Sequence, residues 1–225
     1  MLKLDKVGVS MKFKDMNLPN KLTTIRMICV PFVVVLFVLF MLYKNLNFKL
    51  DYMFYSNGIN YLTVIQVLIA VIFAFASITD FVDGYIARKQ KIVSDYGKLM
   101  DPLADKLLTN TTIMFLLVGG FFTVGQPSFV GFEIFAMVMA IMVIVRDIFV
   151  DALRMQALKK NAVVAASIWG KVKTATLMPG VIIMILGSFH MIVYAIGLTL
   201  ISIGGIVALI GGIKYFMSLR QYIGE

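Results

Sequence analysis

The sequence is poor in the residues that build disulfides and soft-metal centres, with one cysteine, Cys29, and one histidine, His190, in 225 residues. A lone cysteine closes no intrachain disulfide, and a zinc site needs three or four thiolate, imidazole or carboxylate ligands, usually with several of the first two. Both residues are therefore read as structural, Cys29 packed in an apolar stretch and His190 in a short turn. Charge is also scarce, at 15% of residues, against about 25% in an ordinary soluble domain. With 60% hydrophobic residues and a mean hydropathy of +0.93, the chain cannot cover its surface with polar groups, so it reads as an integral membrane protein. Acidic residues are the rarer sign, 12 against 21 basic, giving a net charge of +9. In so apolar a chain this excess reads as loops facing anionic lipid, and no nucleic-acid partner is expected. Residues 1–24 are too polar for a cleavable leader, so none is expected.

What is abundant is long apolar runs. A helix needs about 20 residues to cross about 30 Å of hydrocarbon, and runs of that kind fall near 25–43, 61–86, 102–122, 128–150, 172–190 and 192–215. The expected fold is all-α: a polytopic membrane protein of six transmembrane helices, one domain over 25–225, preceded by an interfacial amphipathic segment over 1–24 in which lysines alternate with Leu, Val, Met and Phe. With both termini in the cytoplasm, 19 of the 21 basic residues lie inside, and only Lys44 and Lys49 outside. That asymmetry sets the expected orientation in the cell membrane.

Against this background stand four aspartates, Asp80, Asp83, Asp101 and Asp105. Counting about 1.5 Å per residue from Tyr61 brings Asp80 and Asp83 to the cytoplasmic boundary. The spacing places Asp80 and Asp83 on one face of helix 2, continued by Gly84, Ala87 and Arg88, and puts Gly97, Asp101 and Asp105 on one face of helix 3. The short connection between the helices makes a hairpin in which the two faces meet. An aspartate at the middle of a membrane helix costs about 2.5–3.5 kcal/mol, less near the interface, and mutual repulsion adds to it. Cations must offset this. Salt bridges from Arg88 and neighbouring lysines are one source; the other is a pair of divalent ions, for which an all-oxygen cluster suits Mg2+ or Mn2+. Gly84, Ala87 and Gly97 leave room for a backbone to approach a ligand, or for helices to pack closely.

The pattern Asp80-x-x-Asp83-Gly84-x-x-Ala87-Arg88, eight residues, then Gly97-x-x-x-Asp101-x-x-x-Asp105 resembles the complete signature of the CDP-alcohol phosphotransferases. The stretch Asn17-Leu-Pro-Asn-Lys-Leu-Thr23-Thr-Ile-Arg26 is similar to that family's entry segment. The resemblance implies a six-helix membrane enzyme, usually a homodimer, that moves a phosphatidyl-type group from a cytidine diphosphate donor such as CDP-diacylglycerol to an alcohol and releases CMP. It implies that Asp80, Asp83 and Asp101 hold two metal ions, with Asp105 completing the set or acting as general base. Gly84, Ala87, Arg88 and Gly97 would line the donor pocket beside the aspartates.

The signature does not select the alcohol. Helix 4 ends in Val145-Arg146-Asp147-Ile-Phe-Val-Asp151-Ala-Leu-Arg154, and the next opens Gly170-Lys171-Val-Lys173-Thr174. Arg146 and Arg154 share a helix face, and Lys171, Lys173 and Thr174 add donors near a helix N-terminus, an arrangement that fits a phosphate. These segments resemble those of the bacterial family members that use glycerol 3-phosphate, with two departures: Asp147 stands where those have Glu, and Asp151 where an uncharged residue is expected. Synthases of phosphatidylserine, a phosphoinositol lipid or cardiolipin are the alternatives within the family. A divalent-metal transporter is the alternative outside it, and would want carboxylates near the midplane.

Overall fold

The computed structural model describes the backbone of residues 18–46, 52–56, 60–90, 95–122, 129–159, 168–187 and 190–223, and the side chains of 20–44, 63–79, 100, 103–122, 129–157, 168–187 and 190–220. Six helices are described: α1 (Leu18–Leu46), α2 (Val64–Gln90), α3 (Asp95–Val118), α4 (Val130–Lys159), α5 (Ile168–Leu186) and α6 (Met191–Ile223). Each of the six expected spans falls for most of its length on one of these helices. Three stretches, Asn20–Lys44, Ile168–Leu186 and Met191–Arg220, are long and apolar enough to cross a membrane, and Val64–Thr79 is a shorter apolar helix. In α4 the charges of Glu133, Arg146, Asp147 and Asp151 interrupt the apolar run. Apolar side chains on the outside, such as Phe32, Ile148 and Ile213, suit a surface that faces lipid rather than water.

Two boundaries differ from the sequence reading. Helix α1 starts at Leu18, with Pro19 in its first turn, where a missing amide proton costs nothing; the earlier part of the expected interfacial segment lies outside the described residues. Between α1 and α2 a small antiparallel hairpin, β1 (Tyr52–Ser56) with β2 (Asn60–Thr63), takes residues assigned to the second span. A capping box then starts α2. The Gln66 amide donates to the Thr63 hydroxyl at 3.3 Å, while the Gln66 side-chain oxygen accepts from the Thr63 amide at 2.9 Å, so two orphan donors at the helix start are satisfied at once.

Contacts at the hairpin end show how the helices alternate. Lys44 at the end of α1 donates to the Gly119 carbonyl just past α3 at 3.0 Å. Gln66 at the start of α2 donates to Ile185 near the end of α5, and Tyr194 at the start of α6 donates to buried Glu133 at the start of α4 at 2.9 Å. Helix α3 stops at Gly120, the one glycine with φ of 72° among the described residues, with Phe121 donating back to Leu116, a left-handed cap that glycine adopts without penalty. His190 closes the tight α5–α6 turn by accepting from the Ile192 amide through Nδ1 at 3.2 Å. The other end of the bundle, where Arg146, Arg154, Lys171 and Lys173 lie, we call the basic end.

The helices form two triplets. In the first, α1 packs on α2 and α3 through aromatic rings, Phe37 stacking on Phe115 at 4.7 Å and Phe40 meeting Phe121. In the second, α6 packs on α4 and α5 along a line of glycines. A Cβ at Gly205 would come within 2.6 Å of the Met139 Cβ, so only glycine lets α4 approach this closely. Contacts of α2 with α5 join the triplets, and α3 meets α4 and α5 sparsely.

Candidate active site

Both halves of the aspartate pattern lie at the basic end. Asp80, Asp83, Gly84, Ala87 and Arg88 occupy the last three turns of α2, and Gly97, Asp101 and Asp105 the first three of α3. Only four residues separate Gln90 from Asp95, so the two stretches flank one short connection, as a helical hairpin requires. The side chains of Asp80, Asp83, Gly84, Ala87, Arg88, Gly97 and Asp101 lie outside the described residues. Asp105 is half-buried on α3, one residue after fully buried Ala104. Among the described residues no group of three or more potential metal ligands gathers.

Lys106, beside Asp105 in sequence, forms an ion pair with Asp151 of α4. This accounts for an aspartate at a position where the sequence leads one to expect no charge: Asp151 bridges two helices that otherwise touch little. Both side chains are partly open to solvent, so the pair contributes at most about 1 kcal/mol. Its effect is to anchor the start of α3 against α4.

The cations of the second triplet do not form one open cluster. Lys173 is buried and donates to both oxygens of Asp147, at 2.8 and 3.0 Å. Arg146 donates to the same carboxylate at 2.9 Å and, through Nε, to the Ala208 carbonyl of α6 at 3.1 Å. Its side chain lies across Gly212, where an added Cβ would meet the Arg146 Cγ at 2.9 Å. Asp147 is thus the hub of a buried network joining α4, α5 and α6, and loss of one member would strand a buried charge. Arg154 and Lys171 stand exposed, and the Thr174 hydroxyl is shared between the Gly170 and Lys171 carbonyls of its own helix, at 3.3 and 3.0 Å. The structure therefore brings Arg146 and Lys173 together through Asp147, and leaves Arg154 and Lys171 facing outward. Beside the Arg146 stem, Met142, Val145, Phe149, Leu209 and Phe216 line an apolar hollow of about 290 Å³ between α4 and α6.

Residues 16–203 match the sequence profile of the CDP-alcohol phosphatidyltransferases. The chain belongs to that family. Among curated proteins it is similar to three named CDP-diacylglycerol–glycerol-3-phosphate 3-phosphatidyltransferase. The Mycoplasma pneumoniae protein is 35% identical over 75% of this chain and 67% of the relative. The Rickettsia felis protein is 32% identical over 92% and 98%, and the Bacillus subtilis protein 35% identical over 70% of each.

For a CDP-alcohol phosphatidyltransferase, the donor set of the pattern fits a hard divalent cation, since it offers carboxylate oxygens alone, and His190 caps α6 at the opposite end. Sequence reasoning did not find Asp147 as the hub. The signal was present, because an aspartate beside an arginine in an apolar helix needs a partner, but which of several lysines supplies it depends on how α5 is rotated. It placed Asn20, Thr23 and Arg26 in a stretch similar to the family's entry segment, but gave them no role and did not foresee that all three are buried.

Proposed function

We propose that this protein transfers the phosphatidyl group of CDP-diacylglycerol to glycerol 3-phosphate, giving phosphatidylglycerophosphate and CMP. The observation that carries this reading is the complete aspartate signature spanning the α2–α3 connection in a chain whose relatives bear that activity in their names.

In this reading Asp80, Asp83 and Asp101 hold two Mg2+ or Mn2+ ions, with Asp105 as a further ligand or the base. The metals would offset the charge of the diphosphate and of the departing CMP. Asp105 takes the proton of the attacking hydroxyl as the acceptor oxygen bonds to the phosphatidyl phosphorus and the bond from that phosphorus to CMP breaks. Gly84, Ala87 and Gly97 let the cytidine and diphosphate approach the helix backbones, and Arg88 offers them a charge. Exposed Arg154 and Lys171, with Thr174, meet the acceptor phosphate. Arg146 and Lys173, held by Asp147, set the positions of α4 and α5 behind them and keep the local charge positive. The helices place the protein in a membrane, which we take to be the bacterial cell membrane, with termini and site on the cytoplasmic side, so that acyl chains stay in lipid while nucleotide and acceptor remain in water. We take the working unit to be a homodimer.

The test is CMP release by purified protein in vesicles supplied with CDP-diacylglycerol. Release is expected only with both a divalent cation and glycerol 3-phosphate present. Product formed with serine or inositol phosphate, and none with glycerol 3-phosphate, would reject the acceptor assignment.

A further inference from the structure

Helix α1 carries a polar line that the signature does not include. Asn20, Thr23 and Arg26 recur every third residue and are all buried, Thr23 fully and Arg26 to 1% exposure. Arg26 is among the largest completely buried side chains described, in a helix whose other face shows Ile28, Phe32 and Val35 to the outside. Taking a guanidinium out of water is costly unless negative charge or strong acceptors surround it. Among the described residues helix α1 packs chiefly on α2 and α3, so its buried face, with Arg26 on it, is turned toward the helices that carry the aspartates.

The helix register says which part of α3. Both α1 and α3 run from the basic end toward the hairpin end, where Lys44 meets Gly119. Phe37 stacks on Phe115 with the rings 7° apart. Arg26 lies eleven residues before Phe37, and Ala104 lies eleven before Phe115, so equal rise per residue brings Arg26 level with Ala104. The Lys44–Gly119 bond gives a similar answer: Arg26 is eighteen residues before Lys44, and Asp101 eighteen before Gly119. Two separate contacts thus put the buried guanidinium between the levels of Asp101 and Asp105. Lys106, the cation next to Asp105 in sequence, is engaged with Asp151.

We infer that Arg26 is a positioning residue of the active site: a fixed cation on α1 that holds the α3 carboxylates in orientation, with Asn20 and Thr23 continuing the same polar wall. The inference rests on the reaction proposed above for its functional meaning. A planar fork of donors can hold two carboxylate oxygens at a set angle, which a lysine cannot. A cation among carboxylates also opposes the entry of further positive charge. Removing it has opposite effects on the two measurable quantities: turnover falls because the carboxylates lose their orientation, while affinity for a divalent cation rises because a like charge is gone.

The experiment compares wild type, Arg26→Met and Arg26→Lys as full chains in vesicles, reading CMP release and, separately, Mn2+ binding by the resonance signal of the free ion. For Arg26→Met, kcat is expected to fall about 100-fold, the KM for glycerol 3-phosphate to stay within about threefold, and Mn2+ to bind several-fold more tightly. For Arg26→Lys, Mn2+ affinity stays near wild type and kcat falls about tenfold. A general packing defect would weaken both activity and metal binding. The inference is overturned if Arg26→Met keeps kcat within threefold of wild type, or if its Mn2+ affinity is unchanged or lower. Should Arg26→Met not fold, Arg26→Lys decides, and a wild-type kcat in that variant overturns the proposal. If the wild type itself releases no CMP, the proposed reaction fails, and the Mn2+ titration still decides whether Arg26 lies among the carboxylates.

Discussion

The two triplets handle charge in opposite ways. In α4–α6 each described aspartate of the basic end has its cation: Asp147 is bonded by Lys173 and Arg146, and Asp151 by Lys106 of α3. At the same end of α2 and α3, four aspartates fall within 26 residues of sequence, and Lys106 is turned away to α4. Packing differs in step. Aromatic stacking spaces α1 from α3, whereas glycines draw α6 onto α4 and α5. A carboxylate bonded across helices ties them together; the carboxylates of α2 and α3 are the ones we assign to the proposed reaction. The contrast separates charges that hold the bundle from charges that serve the reaction.

The largest expected effect breaks the contrast on the chemical side. Asp105→Asn should lower kcat by about 10³-fold or more while CDP-diacylglycerol binding changes little, because a base is lost rather than a binding contact; rates close to wild type would show that Asp105 is not the base. On the structural side, Asp147→Ala strands buried Lys173 and should cost about 3–5 kcal/mol in stability, with Lys173→Met in the same chain restoring part of it. Thermal unfolding of the purified variants in detergent measures both. An Asp147→Ala protein as stable as wild type would remove the hub.

Arg154→Ala sharpens the line between the two kinds of charge. Its side chain is exposed, so stability should hold, while the KM for glycerol 3-phosphate rises about tenfold, or about 1.4 kcal/mol of binding, and the donor KM stays within about twofold. Equal changes in both constants would place Arg154 outside the acceptor site. The smallest effect belongs to Asp151→Asn, which breaks a partly solvated pair and should cost less than about 1 kcal/mol. The charge-reversed pair Lys106→Asp with Asp151→Lys should recover the loss in the same unfolding assay.

Much of this was readable in advance. Six apolar runs became six helices, because a backbone in hydrocarbon has no partner but itself. The short α2–α3 connection, with both halves of the aspartate pattern beside it, followed from spacing alone. The hairpin of Tyr52–Ser56 with Asn60–Thr63 did not, since its aromatic residues look the same to a hydropathy count whether they continue a span or pair as strands. Nor did the fate of the second triplet's cations. A helical wheel puts Arg146 and Arg154 on one face, yet Arg146 is drawn into the bundle while Arg154 faces out; it sets Lys171 and Lys173 on opposite faces, but does not say that Lys173 is the one that turns inward to Asp147.

Periodicity, length and the order of residue types are properties of one segment at a time, and they were enough to set the helices, the grouping of the aspartates at one end and the family. Which lysine meets Asp147, why Asp151 carries a charge, and how Arg26 comes level with Asp101 and Asp105 depend on the rotation and height of one helix against another. Those are settled by contacts between residues distant in the chain, such as Phe37 on Phe115 or Gly205 against Met139, and no local pattern encodes them.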